Sequence, residues 1–534
     1  MSHNLDKPNS DDEFAELQFS QFDTLLDEGA VCISDTESDD DVLIVGETPA
    51  KLLPISAPPQ STLAQTSHCS FQPALPPPNS ATSQRSPHTI LPQLSPRPGS
   101  ARTSASPTQA VSPVLQYPTG VVRLTRYQDQ PITSTTVSLS DLIQPNLQKA
   151  ILSTFVLDLD WLLPHFADTT KLLIVKHYDP RIDRRGIYQA GRLTIVHPEF
   201  ADQRFPIMHS KIMLMFYPRH IRLVISSANL LSIDWTALGN IVFIQDLPLL
   251  DEPRELYGFG LTLAQALRDL SVPEQAVGQL DMVDFSKVKA QLVTSVPSMA
   301  GRSKFHADAY GLARLAQVTI GIRKSLSPEQ QRDWLTTHHC CYGSSMGKLT
   351  PEYLSDFYLS ALGLDSAQEF RHLLSPATST GSLSQRVHVG FHTQTQGKVN
   401  KFGSSARQSI KFQSSYYFDN HFPQDCLYKV EPVYKDCLIH SKIILARFGE
   451  MGRNGWIYLG SHNFTPGAWG HLRGGSRATR KVYVNNYELG VVLPGVTFER
   501  IFGRDSVLWN GLAVPLPFKM DWEPYGRDEL PLIS

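Results

Sequence analysis

From about position 119 onward, apolar residues gather in runs of strand length. They occur at 172–175, 193–196, 211–217, 222–226 and 241–244, and a helical pattern follows at 261–270. After about residue 300 the alternation begins again. Helix-like stretches at 310–316 and 352–362 come first, then strand-like runs at 387–391, 428–430, 441–446, 456–459 and 488–493. Short apolar runs bounded by turn residues suit buried strands, whereas a helix repeats its apolar positions every third or fourth residue. Strands mixed with helices in two rounds predict an α/β body made of two similar halves, 119–302 and 303–534.

Residues 1–118 break this pattern. Residues 1–50 carry fourteen Asp and Glu against one Lys, and 51–118 carry no acid and fourteen prolines among Ser, Thr, Gln and Ala. Prolines interrupt regular ladders, and few large apolar groups remain to repay ordering entropy. This predicts a disordered regulatory tail, acidic over 1–50 and Pro/Ser-rich over 51–118. Within it, Val42-Leu43-Ile44-Val45 follows the acidic run from Ser34 to Asp41. That resembles a SUMO-interacting motif, an apolar strand that adds to an exposed sheet edge, so SUMO or a SUMOylated protein is an expected partner. Ser86, Ser95, Ser106 and Ser112 each precede a proline and are candidate phosphosites.

Charge sharpens the division. The whole chain is near neutral, with 48 Lys and Arg against 51 Asp and Glu, but the tail holds much of the acid. Beyond residue 50 the balance is 47 basic to 37 acidic, which suits a polyanionic ligand such as nucleic acid. No apolar run is long enough to span a membrane, and the acidic start lacks the apolar core of a secretory signal. Six cysteines are too few for a disulfide scaffold and fit a reducing compartment. His338-His339-Cys340-Cys341 lacks zinc-site spacing.

One chemical pattern occurs once in each half. Met208-His209-Ser210-Lys211-Ile212 opens an apolar strand, and Asn229 follows 20 residues after His209. Ile439-His440-Ser441-Lys442-Ile443 does the same, with Asn463 23 residues after His440. A lone His-x-Lys usually marks a solvated strand face, but two copies with matched flanks and matched distant asparagines do not arise readily by chance. Alternate residues of a strand face one side, so each His is expected to point with its Lys, and a hairpin can bring the Asn beside them. Two halves paired about a pseudo-two-fold axis would gather two His, two Lys and two Asn in one pocket. That set suits a phosphodiester: a nucleophile, an acid opposite it, and cationic and amide donors for the non-bridging oxygens.

At these residues the chain resembles the phospholipase D superfamily, and within it the tyrosyl-DNA phosphodiesterase branch. The usual superfamily Asp five residues beyond the Lys is missing twice, at Phe216 and Arg447, as in that branch. Leu157-Asp158-Leu159-Asp160-Trp161-Leu162, the segment from Asn229 to Trp235, Gly467-Ala468-Trp469-Gly470 and Tyr487-Glu488-Leu489-Gly490 match further motifs of the branch, and the likeness covers about 120–530. It implies two phospholipase D-like α/β/α halves related by a pseudo-two-fold axis.

The resemblance also implies roles. His209 is the nucleophile that forms a phosphohistidine, and His440 is the general acid, then base. Lys211, Lys442, Asn229 and Asn463 hold the phosphate oxygens. Glu488 orients His209, and Asn240 stands where the family has a Gln that supports the acid. Its shorter side chain is expected to need a water or a backbone shift to reach His440. Phe205 matches an aromatic that stacks on a DNA base, and Ser379 and Ser382 match a loop that holds DNA phosphates. Arg473, Arg477, Arg480 and Lys481 form a basic loop nearby. The implied activity is a metal- and cofactor-independent DNA-repair hydrolase. It acts in the nucleus as a monomer and removes tyrosyl or peptide adducts from single- or double-stranded DNA 3′ ends. A lipid-cleaving phospholipase D and a catalytically inactive DNA-binding adaptor are the alternatives.

Overall fold

The computed structural model describes residues 115–128, 130–183, 185–199, 206–297, 309–364, 383–473, 481–501 and 504–534. The expectations for the tail, including Val42 to Val45 and the Ser-Pro sites, lie outside the described residues.

The first sheet is built from β1 (Val121–Thr125), β2 (Lys149–Thr154), β3 (Lys171–Lys176), β4 (Leu193–Val196), β5 (Ile212–Phe216), β6 (His220–Ser226) and β7 (Ile241–Pro248), with short strands at both edges. Its order is β1-β7-β6-β5-β2-β3-β4. Neighbours are antiparallel as far as β2, then parallel through β3 to β4. Every residue of β5 and β6 is buried, which explains why these strands read as continuous apolar runs rather than alternations.

The second sheet repeats the plan. Its strands are β8 (Gln291–Ser295), β9 (His338–Tyr342), β10 (Val387–Phe391), β11 (Leu427–Lys429), β12 (Ile443–Phe448), β13 (Asn454–Gly460) and β14 (Asn486–Ile501). The pairing β8-β14-β13-β12-β9-β10-β11 reproduces the first order, and the senses match pair for pair, antiparallel to β9 and parallel beyond. Strand β8 therefore opens the second repeat as β1 opens the first, and the expected division at 302/303 falls after it.

The inner faces of the two sheets share one core. Ile212, Leu214 and Phe216 of β5 meet it, as do Ile443 and Leu445 of β12 and Leu263 and Leu267 of α1 (Gly258–Asp269). Met213 and Met215 turn to an outer core of the first half, and Ile444 and Ala446 to an outer core of the second. This is period-two alternation with both faces apolar. The outer face of the second sheet is covered by α2 (Gly311–Lys324) and α3 (Pro351–Leu362). Helix α2 runs well beyond the expected 310–316. Helix α3 starts where Thr350 Oγ accepts from Tyr353 N and Pro351 presets the first turn; it stops at Gly363, whose φ of +59° suits a residue without Cβ.

Two short strands tie the halves together. Ile207–Met208 pairs in parallel with the start of β14, Asn486 and Tyr487, and Leu438–Ile439 pairs in parallel with Leu238–Gly239 of the first half. The exchange is reciprocal, as a two-fold relation requires. It also corrects one expectation. His209-Ser210-Lys211 and His440-Ser441-Lys442 do not lie within strands. Each sits in the break between a short strand paired to the opposite half and a long strand, β5 or β12, of its own sheet. The chain changes partners there, so the ladder is interrupted.

Candidate active site

Each His-x-Lys is fixed at its backbone by the other half. His209 N donates to Tyr487 O at 2.9 Å, and His440 N donates to Gly239 O at 3.0 Å. Lys211 Nζ donates to His209 O at 2.7 Å, and Lys442 Nζ donates to His440 O at 2.8 Å. Antiparallel hairpins return the chain through β6 and β13 and deliver Asn229 and Asn463. Asn229 Oδ1 accepts from Val156 N at 3.4 Å, and Asn463 Oδ1 accepts from Ser345 N at 3.1 Å. These bonds fix both amides by their oxygens and so set the direction of each NH₂. His209, Lys211, Asn229, Asn240, His440, Lys442, Asn463 and Glu488 are all buried.

The imidazoles take their partners across the halves. His209 Nδ1 lies 2.9 Å from Glu488 Oε2, and Glu488 also accepts from Ser461 Oγ and, at 3.1 Å, from Asn486 Nδ2. Burial alone would raise the Glu488 carboxyl, but the His209 ring, with Lys211 further off, holds it below its ordinary value. An ionised Glu488 can only accept, so Nδ1 carries the proton and the lone pair of His209 is on Nε2.

His440 Nδ1 lies 3.2 Å from Asn240 Oδ1, with Ser227 Oγ donating to the same oxygen at 2.7 Å. The shorter Asn therefore reaches the ring directly, with no need of a bridging water. The short Leu238–Gly239 strand sets its backbone close enough, because the preceding residues are paired to the segment that ends at His440. The opposite ring nitrogen, Nε2, lies 3.1 Å from Lys442 Nζ.

One residue beside His440 was not assigned a role by sequence reasoning. Asp234 Oδ2 is 3.3 Å from His440 Nδ1 and accepts from Asn229 N at 2.6 Å and Asn229 Nδ2 at 3.1 Å. Burial would raise this carboxyl, but His440, the Asn229 amide and Lys442 outweigh it and hold it low. The signal lay in the motif itself, a carboxylate five residues after Asn229 where the second repeat has Ala468.

Other buried groups line this region. His462 follows Ser461; Tyr458 Oη bonds its Nδ1 and Ser295 Oγ lies 2.9 Å from its Nε2, and burial drives its pKa to about 3, so it is neutral. Burial also drives His177 to about 4, and its Nδ1 accepts from Met208 N at 3.3 Å. Thr465 caps the short helix Pro466–Trp469, its Oγ accepting from Ala468 N at 3.1 Å. Phe205, Ser379, Ser382, Arg477 and Arg480 lie outside the described residues. Arg473 and Lys481 are register partners in a two-stranded antiparallel pair. His338 to Cys341 form most of β9, inside the second sheet. Among the described residues, no group of three or more His, Cys, Asp or Glu is placed to hold a metal ion, and no helix is long and apolar enough to cross a membrane.

Chemically, the arrangement offers an imidazole with its lone pair on Nε2, a second imidazole with a buried carboxylate at Nδ1, two lysines and two oriented amides. That is a donor set for an in-line displacement at phosphorus.

Comparison with known proteins points the same way. The model of the tyrosyl-DNA phosphodiesterase family matches residues 121–526. Tyrosyl-DNA phosphodiesterase 1 of Arabidopsis thaliana is 24% identical over 450 residues, which cover 74% of this chain and 70% of that protein. The Drosophila melanogaster protein of the same name is 24% identical over 456 residues, 80% of this chain and 75% of its own. Yeast tyrosyl-DNA phosphodiesterase shares the fold with a TM-score of 0.57 and 19% identity, over 78% of this chain and 100% of the yeast one.

Proposed function

This chain belongs to the tyrosyl-DNA phosphodiesterase family, of the phospholipase D superfamily, and is a phosphodiester hydrolase; on that footing we propose that it removes tyrosine or residual peptide from DNA 3′ ends, as left by trapped topoisomerase I, and leaves a 3′-phosphate. The observation that carries this reading is the crosswise pairing of the two imidazoles, His209 to Glu488 and His440 to Asn240.

Two displacements account for the chemistry. In the first, the Nε2 lone pair of His209 forms a bond to phosphorus while the bond to the tyrosyl oxygen breaks. Phenolate is a poor leaving group near neutral pH, since tyrosine has a pKa of about 10. Protonated His440 supplies the proton that makes it neutral tyrosine. In the second, neutral His440 takes a proton from water, the water oxygen bonds to phosphorus, and the bond to His209 Nε2 breaks. Both rings return to their starting states. Lys211, Lys442, Asn229 and Asn463 offset charge on the non-bridging oxygens throughout. In this reading Phe205, Ser379 and Ser382 contact the DNA strand, and the protein acts as a nuclear monomer.

The test is cleavage of a 3′-phosphotyrosyl oligonucleotide, single- and double-stranded, in EDTA. Release of tyrosine with a 3′-phosphate product supports the proposal. Retained DNA binding with no cleavage would favour an adaptor instead.

A further inference from the structure

We infer that Asp234 is the positioning residue that sets the charge of His440, and so arms the proton donor. This rests on the reading of His440 as general acid. The two repeats of the chain overlay at this point and differ in where the carboxylate stands.

The overlay is anchored by hydrogen bonds. Ser227 Oγ accepts from Ile241 N at 3.1 Å, and Ser461 Oγ accepts from Leu489 N at 2.9 Å. Ser227 Oγ also donates to Asn240, and Ser461 Oγ to Glu488. Asn240 and Glu488 are therefore equivalent, each the residue before the anchored amide. Each faces the imidazole of the opposite half. Yet one is a carboxylate and the other a neutral amide. The amide can accept from Nδ1–H and so fix the tautomer, but it carries no charge to stabilise an imidazolium.

Asp234 makes up the difference. It is completely buried, and its Oδ2 stands 3.3 Å from the Nδ1 that Asn240 also faces at 3.2 Å. Its own equivalent, five residues after the repeat's Asn, is Ala468. Among the described residues, each imidazole thus faces a buried carboxylate, drawn from non-equivalent positions of the repeat. The two positions are also locked together, because Asn240 Nδ2 donates to Asp234 O at 2.8 Å. Among the described residues, the charged groups recorded against His440 are Asp234 at Nδ1, from the short helix Ser232–Thr236, and Lys442 at Nε2, from its own segment. Lys442 favours the neutral ring and Asp234 the charged one. Through Asn229 N and Nδ2, the same carboxylate oxygen also ties a phosphate-holding amide of one half to the proton donor of the other.

The experiment compares two oligonucleotides with full-length protein, one carrying 3′-phosphotyrosine and one a 3′-(4-nitrophenyl) phosphate. The nitrophenolate leaves without a proton. Asp234→Asn should lower the single-turnover release of tyrosine, which reports the first displacement alone, about a hundredfold at neutral pH, the lower end of general acid catalysis, and the release of nitrophenolate much less. The deficit should shrink as pH is lowered, because a weaker base is recharged by acid. Equal losses on both substrates, or a deficit independent of pH, would reduce Asp234 to a scaffold and overturn the inference. His440→Asn is the control for the underlying reading. If it discriminates between the substrates in the first displacement and Asp234→Asn does not, the inference alone fails; if it does not discriminate there, the assignment of His440 fails. Should Asp234→Asn not fold, Asn240→Ala serves. It leaves Asp234 at Nδ1, so the ratio of the two single-turnover release rates should stay near wild type whatever the fall in rate. A collapse of that ratio to the His440→Asn value would move the charge-setting role to the amide and overturn the proposal.

Discussion

Glu488 accepts the Nδ1 proton of His209 at 2.9 Å from 279 residues further along the chain. That bond fixes which ring nitrogen keeps its lone pair. Glu488→Gln keeps the shape and removes the charge. Single-turnover cleavage should slow by about a hundredfold, as for loss of a positioned base partner. His209→Ala should abolish turnover. Wild-type rates in His209→Ala would remove His209 from the nucleophile role, and in Glu488→Gln would show that the tautomer is held without the charge.

His440→Asn should separate the two displacements. The first should proceed slowly, without a proton for the leaving oxygen, and the second should stall for want of a base. Protein should then accumulate covalently on DNA, with phosphate on His209 after denaturation. Mass spectrometry locates the adduct, and an adduct at any other residue contradicts the order of roles.

The first sheet contains a buried ion pair, Arg222 to Asp246, with contacts of 2.7 and 3.0 Å and neither side chain exposed. Asp246 also accepts from Gln116 N and Tyr117 N. Arg222→Met strands this carboxylate in the core. Urea unfolding should show a loss of about 3–5 kcal/mol, the cost of breaking a buried pair on one side. A change within error would mean that water reaches Asp246.

His339 gives a pH prediction. Its ring is wedged among Phe357, Tyr358 and Trp456, and burial drives its pKa to about 3. An unfolded chain binds this proton near pH 6.5, so protonation favours unfolding. The stability is whole above about pH 6.5 and drains away as pH falls towards 3, by on the order of 1 kcal/mol per pH unit from this ring. His339→Leu should flatten the dependence of the urea midpoint on pH between 6.5 and 5. An unchanged slope would assign acid sensitivity elsewhere.

The long apolar runs were legible because burial on both faces left no alternation to decode. Strands β5, β6, β12 and β13 fall where the runs predict. Strand β9 was not legible, since His-His-Cys-Cys-Tyr reads as polar until its neighbours in the sheet are known. There His339 and Cys341 are fully buried, and burial pushes the Cys341 thiol far up. The paired His-x-Lys segments were visible as a repeat. Their place between strands was not, because it depends on pairing with a chain segment far away. The same holds for Asp234. It stood in a recognised motif, but only the fold turns it towards an imidazole of the other half. For Asn240 the choice between a water and a backbone approach was open in the sequence, because the Leu238–Gly239 pairing that places its backbone is made with a segment of the other half.

The two short strands that cross between the halves make opening and disarming one event. Prising the halves apart would unzip both at once, and in the same stroke take Glu488 from His209 and Asn240 from His440.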